Sequence, residues 1–169
     1  MTLPKSTKFV EKFLIYYLYK FPQIKTARTE LGDRELKLRV HPENCTGCSL
    51  CAAVCSARLV GAFNPSRSAV YTESLLPQKV IIRPYVCIQC DEHPCVESCP
   101  VEAIVEDEKL GIYVVDKERC TGCGACVEVC PYNGLRLDPV GNYAIKCDVC
   151  RGNPRCVEIC PENVLEMIE

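Results

Sequence analysis

Sixteen cysteines fall into four quartets. In "CTGCGACVEVCP", residues 120–131, Cys120, Cys123, Cys126 and Cys130 follow the pattern C-x2-C-x2-C-x3-C-P. Cys45, Cys48, Cys51 and Cys55 repeat this spacing. Cys87, Cys90, Cys95 and Cys99 stretch the middle gap to four residues, and Cys147, Cys150, Cys156 and Cys160 stretch it to five. No cysteine is left over. Zinc sites that use C-x2-C take two separated pairs around one tetrahedral ion. A third Cys three residues after the second instead wraps three corners of a larger group, as in cubane iron–sulfur sites. The count is that of four complete [4Fe-4S] sets, with iron held through the same sixteen Cys. A zinc-bound interaction module remains the alternative from another class.

The residues between the thiols fit that chemistry. Gly47, Gly122 and Gly124 lie inside the loops, where a residue without Cβ reaches positive φ cheaply and lets backbone N–H groups approach the sulfurs. Pro100, Pro131 and Pro161 each follow a fourth Cys and redirect the chain. Position 56 departs from this rule, being Ser56. The fourth Cys is expected at the start of a short helix that turns it toward a partner cluster.

The elements that must position the quartets read as strands and hairpins. Between the second and third quartets, Ala103–Val105 and Ile112–Val115 flank an acidic, Gly-containing turn and predict a hairpin. "KVIIRP" before Cys87 and "GLRLDP" after Cys130 read as outer strands lying side by side, making quartets two and three an inner unit. "ELKLRVHP" and "NVLEMIE" then match as the outer strands of quartets one and four. This nested order predicts four sets. Cys87, Cys90 and Cys95 go with Cys130, and Cys120, Cys123 and Cys126 with Cys99. Cys45, Cys48 and Cys51 go with Cys160, and Cys147, Cys150 and Cys156 with Cys55. A serial order, one with two and three with four, stays open.

The expected class is α+β: two nested bacterial-ferredoxin-like modules, each for two [4Fe-4S] clusters, preceded by an N-terminal helix. Residues 1–35 would be that helix and a linker, 36–75 with 140–169 the outer module, and 76–139 the inner one.

Composition narrows the partners. The chain of 169 residues has 12 aromatics and no Trp, so inorganic clusters would have to fill and cross-link a thin core. The formal charge of −2 counts thiols as neutral, and bound clusters would make the protein more acidic, which argues against a nucleic-acid partner. A disulfide scaffold belongs to short secreted chains; "MTLPKSTKFVEKFLIYYLYKFP" has neither a cleavage site after an apolar core nor a twin-arginine pair. Cytoplasm is the expected location.

That same segment gathers Phe9, Phe13, Tyr16, Tyr17, Tyr19 and Phe21, six of the 12 aromatics; Phe9, Phe13 and Tyr16, with Val10, Leu14, Tyr17 and Phe21, recur at helical spacing ahead of Pro22. It is too short to span a bilayer. It reads as a helix docked on a larger partner, with packing on the chain's own core as the alternative. His41 and His93 adjoin cysteine motifs, but the complete thiol count makes neither necessary as a ligand. Asp91 and Glu92 lie in a cluster loop with no nucleophile or phosphate loop nearby. No catalytic residue or substrate site is indicated.

Over residues 36–169 the quartet order resembles the four-cluster iron–sulfur subunits of molybdenum and tungsten pterin oxidoreductases. "CIQCDEHPCVESCPVEAI", with Pro94 before Cys95, looks like the second motif of that group. "CTGCSLCAAVCSARLVGAFNPSRSAV" and "KCDVCRGNPRCVEICP" are similar to small subunits accompanying aldehyde ferredoxin oxidoreductase-type tungsten enzymes, class II benzoyl-CoA reductases among them. The resemblance implies the nested pairing and a non-catalytic role as an electron-transfer subunit. The large partner would hold the pterin metal, and a ferredoxin or another redox subunit would exchange electrons with the chain. A free polyferredoxin carrier is the alternative within the same chemistry.

Overall fold

The computed structural model describes residues 36–75 and 81–168. The aromatic helix expected around Phe9–Phe21, with the rest of residues 1–35, lies outside the described residues. The class is the expected mixture of short helices and small sheets. The strands are β1 (Lys37–Val40), β2 (Val70–Leu75), β3 (Ile81–Val86), β4 (Ile104–Asp107), β5 (Ile112–Val115), β6 (Leu135–Leu137), β7 (Ala144–Lys146) and β8 (Leu165–Ile168). The helices are α1 (Leu50–Val60), α2 (Pro94–Glu97), α3 (Ala125–Glu128) and α4 (Arg155–Ile159).

All four ladders are antiparallel pairs. β1 meets β8 across the length of the described chain, with Leu38 opposite Met167 and Val40 opposite Leu165. Alternation explains the pair, since Leu38 and Leu165 are buried while Arg39 and Glu166 face water. β4 and β5 form the expected hairpin, Ile104 opposite Val115.

The strands flanking quartets two and three differ from expectation. β3 and β6 form no ladder with each other; β3 pairs with β2, and β6 with β7. Each strand finds a partner close in sequence, and Tyr71 stacks on Tyr85 across β2–β3 with ring centroids 5.3 Å apart. β3 and β6 still abut at one point, where a Cβ on Gly134 would lie 2.6 Å from the Cα of Cys87. No side chain fits there.

Two apolar cores hold the elements. One joins Leu36, Leu38, Val70, Val86, Ile112, Ile145, Val164 and Leu165 with the buried thiols of Cys87, Cys147 and Cys156. The other is smaller and gathers Ile104, Leu135 and Ala144 around Cys95 and Cys126. Cysteine side chains are thus part of both cores.

Candidate metal centres

One backbone shape recurs in all four quartets. The residue before the second Cys has positive φ: Gly47 at 73°, Gln89 at 57°, Gly122 at 68° and Val149 at 50°. Glycine reaches this region without strain. For a β-branched residue such as Val149 it is a genuine outlier, of order 1–3 kcal/mol, held by complete burial of the side chain.

The helices do not begin where the sequence suggested. In quartets two to four the third Cys (Cys95, Cys126, Cys156) sits inside the short helix and the fourth (Cys99, Cys130, Cys160) follows its end. Pro100, Pro131 or Pro161 comes next, and three residues past the Cys the chain turns left-handed at Glu102, Asn133 and Asn163. That turn aims the following amide back at the sulfur: Ala103 N–H donates to Cys99 Sγ at 3.2 Å, Gly134 to Cys130 Sγ at 3.3 Å, and Val164 to Cys160 Sγ at 3.3 Å.

The first quartet reaches the same end by a longer route. With Ser56 in place of proline, α1 runs on through Cys55 to Val60. Ser56 is fully buried; its hydroxyl donates to Ala53 O at 2.9 Å and accepts from Asn64 N–H at 3.0 Å. The returning loop then places Ala69 N–H 3.4 Å from Cys55 Sγ. The amide that other quartets find four residues on is found here after fourteen.

The thiols gather across quartets. Cys45, Cys48, Cys51 and Cys160 line one pocket, walled by Leu50, Pro84, Val164 and Leu165. Cys87, Cys90, Cys95 and Cys130 line a second, with Gln89, His93 and Lys146. Cys99, Cys120, Cys123 and Cys126 line a third. Cys147, Cys150, Cys156 and Cys55 share no single pocket, but Cys55 acts on the thiols of both Cys150 and Cys156. Arg58 of α1 clamps Asp148 with two bonds of 3.0 and 2.7 Å, and Asp148 accepts from Cys150 N–H, which ties the fourth loop to α1.

Burial dominates the electrostatics. It pushes the thiols of Cys51, Cys95 and Cys126 up to about 11 and that of Cys156 up to about 12. Cys147 is raised well above the ordinary value, by burial first and then by Cys156 and Cys87. Such thiols keep their protons at neutral pH, so iron binding as thiolate must expel them. Neighbouring sulfurs add to this. After burial, Cys126 feels Cys120, Cys95, Cys99 and Cys123, and Cys156 feels Cys150, Cys55 and Cys51.

Soft four-sulfur sets in apolar walls, with amide donors aimed at sulfur, fit a [4Fe-4S] group. The histidines are engaged elsewhere: His41 Nε2 lies 3.2 Å from Glu166 Oε2, and His93 Nδ1 lies 2.8 Å from Asp91 O. Sequence reading expected amides near the sulfurs and singled out Ser56, but missed which amides donate, what the Ser56 hydroxyl binds, and the parts played by Gln89 and Lys146. For the donors a signal exists in "CPYNG" and "CPENV", where Asn after Cys-Pro marks a left-handed turn.

Comparison with known proteins agrees with this chemistry. Residues 42–58 match a 4Fe-4S binding domain. The polyferredoxin-like subunit of aliphatic sulfonate oxidoreductase from Pyrococcus furiosus is 42% identical over 103 residues, 61% of this chain and 58% of that protein. A tetrathionate reductase subunit from Archaeoglobus fulgidus is 36% identical over 113 residues, covering 67% and 53%. A polysulfide reductase polypeptide from Wolinella succinogenes is 34% identical over 107 residues, covering 60% and 56%. The chain therefore spans little more than half the length of these relatives. Among solved structures, the active site complex BamBC of benzoyl coenzyme A reductase with benzoyl-CoA aligns over 79% of this chain and 78% of that one, at 24% identity and a TM-score of 0.45. Residues 78–169, more than half of the sequence, match the 4Fe-4S dicluster domain, and the chain belongs to that family.

Proposed function

We propose that the chain is the electron-transfer subunit of an oxidoreductase complex, relaying single electrons through four [4Fe-4S] clusters to or from a larger catalytic subunit. The observation that carries this reading is the contiguity of the thiol groups. Cys95 and Cys126 are buried in one apolar core, and Cys87, Cys147 and Cys156 in the other, with Cys51 packed against it. Clusters held by the four nested sets would follow one another in the order third, second, fourth, first quartet. The outermost sets contain the two exposed thiols, Cys123 and Cys48. Electrons would enter at one of these ends and leave at the other.

When bound, such clusters supply one-electron storage and transfer. The protein's residues do the rest. Thiolates of the sixteen Cys hold the iron; Ala69, Ala103, Gly134, Ala144, Val149 and Val164 donate N–H groups to sulfur and favour its negative charge. Leu50, Pro84, Leu165 and Leu135 keep water from the sites.

The outer module is residues 36–75 with 140–169, closed by β1 and β8, and the inner module is residues 76–139. Cysteines that hold iron as thiolates suit a reducing compartment, in keeping with the cytoplasm. The catalytic partner in this reading carries a tungsten or molybdenum pterin, with the segment around Phe9–Phe21 as a docking element. The names of the relatives, from sulfonate oxidoreductase, tetrathionate reductase and polysulfide reductase, support a place in an oxidoreductase complex.

The test is anaerobic purification followed by iron analysis and electron paramagnetic resonance of the parent protein and Cys160→Ser. About sixteen irons are expected in the parent. The variant should lose the cluster of Cys45, Cys48 and Cys51 while that of Cys147, Cys150 and Cys156 stays. Damage to the latter instead would overturn the nested sets, and a colourless protein with about four zinc ions would overturn the relay.

A further inference from the structure

Lys146 is the one charged amine among the described residues that is buried, at 7% exposure. Its ammonium donates to Gln89 Oε1 and to Tyr113 O, both at 2.7 Å. Both acceptors are neutral. Among the described residues no carboxylate pairs with it, and the nearby Asp148 is taken by Arg58. A buried cation with only neutral partners is strongly unfavourable unless an anion is close.

The supporting frame is rigid. Gln89, 3% exposed, donates to Cys147 O at 2.7 Å and to Tyr113 O at 3.2 Å, and its Oε1 also accepts from Tyr113 N–H at 3.2 Å. Every polar atom of that side chain is used to fix β5, the second cysteine loop and Lys146 together. Gln89 itself sits between Cys87 and Cys90, in the left-handed conformation. Lys146 so held is one of the residues lining the pocket of Cys87, Cys90, Cys95 and Cys130.

We propose that Lys146 is the fixed counter-charge of the [4Fe-4S] cluster held by Cys87, Cys90, Cys95 and Cys130, and that it raises the reduction potential of that cluster. The inference rests on the relay reading above. A thiolate-bound cubane is an anion and becomes more negative on taking up an electron, so a nearby positive charge in a low-dielectric wall favours the reduced form. It also answers the burial problem: the anion missing among Lys146's protein partners is the cluster. Lys146 acts as a positioning residue for charge and ligates nothing. Gln89 orients it.

The test is a potentiometric titration followed by electron paramagnetic resonance on the parent, Lys146→Met and Lys146→Arg, each with its iron counted. Lys146→Met should move one midpoint to a more negative potential with iron content unchanged, and Lys146→Arg should restore it toward the parent value. Midpoints identical in all three loaded proteins would overturn the proposal. Should Lys146→Met lose iron, Gln89→Glu decides, because a carboxylate beside the ammonium cancels its charge without removing it. The same midpoint must then fall, and an unmoved one ends the proposal. A parent protein without iron would remove the relay reading and this inference together, whereas a loaded parent with unmoved midpoints removes only the role of Lys146.

Discussion

Arg67 grips Asp138 across 71 residues of sequence, with Nε 3.0 Å from both carboxylate oxygens and Nη2 2.8 Å from Oδ2. The Asp138 side chain is fully inaccessible, and the carboxylate also accepts from Val140 N–H at 2.8 Å and Gly141 N–H at 3.0 Å. One carboxylate therefore holds the β6–β7 turn and anchors it to the loop that returns Ala69 to Cys55. The loop of the first quartet and the turn beyond the third are mechanically one unit.

Asp138→Ala should destabilise the metal-loaded protein by about 3 kcal/mol, since removing one member of a buried pair leaves the other charge uncompensated. Arg67 keeps 22% exposure, which places the value at the low end of that range. Burial alone would raise the carboxyl, but the hydrogen bonds from Arg67, Gly141 and Val140 outweigh it and hold it well below the usual carboxylate range. The stability this contributes is therefore present above the ordinary carboxyl value of about 4 and is lost as pH falls below it. Because loss of clusters makes unfolding irreversible, the measurement is the rate at which visible absorption bleaches on heating. The acid-side acceleration expected of the parent should be smaller in Asp138→Asn.

Ser56 tests why the first quartet departs from the others. Ser56→Pro would restore the Cys-Pro pattern and, inside α1, remove a helical N–H and clash with the preceding turn, at about 3 kcal/mol or more. Ser56→Ala keeps the helix but leaves Asn64 N–H without its acceptor, at about 1–3 kcal/mol. Both should weaken the amide contact from Ala69 to Cys55. Iron content should fall in the order parent, alanine, proline, and a proline variant with full iron would contradict the role assigned to α1.

Much of this arrangement was legible because it is written in local periods. "ELKLRVHP" and "NVLEMIE" alternate strictly enough to mark β1 and β8, and the turn before Gly111 marks the β4–β5 hairpin. Cysteine spacing is independent of packing and carries the chemistry directly. What escaped depends on tertiary burial. β2 was invisible because "VYTESL" becomes a strand only with Tyr71 laid on Tyr85. Lys146 reads as a solvated residue beside a Cys until Gln89 and Tyr113 enclose it. Val149 contradicts local propensity, and its positive φ is imposed by a cysteine loop whose shape the glycines of other quartets adopt freely.

Gly134 sets a strict limit on substitution. A Cβ there would meet Cys87 Cα at 2.6 Å, Cys87 N at 2.7 Å and Val86 O at 2.9 Å, all of them backbone atoms that cannot rotate away. Gly61, at φ 71°, ends α1 with nothing within 4 Å of the same position. Gly61→Ala should therefore cost only the left-handed penalty, about 1–2 kcal/mol, and keep full iron. Gly134→Ala should force β3 from β6 and deplete the iron at Cys87 and Cys130. Equal iron in the two variants would show that the contact between the strands is not needed.

The order in which thiols become reactive follows from exposure and burial. Cys48 and Cys123 are exposed, whereas Cys95, Cys126, Cys147 and Cys156 are buried, with thiols that burial raises. Only thiolate is alkylated, so a thiol raised to about 11 or 12 reacts slowly at mildly alkaline pH even once its iron has gone. When iron is withdrawn stepwise by a chelator in the presence of iodoacetamide, Cys48 and Cys123 should be marked first. Cys95, Cys126, Cys147 and Cys156 should follow only as the cores open. Mass spectrometry of peptides from timed samples reads this directly, and simultaneous labelling of all sixteen would mean that the fold collapses with the first iron lost. The sequential result would place the accessible ends of the chain's sulfur array at Cys48 and Cys123.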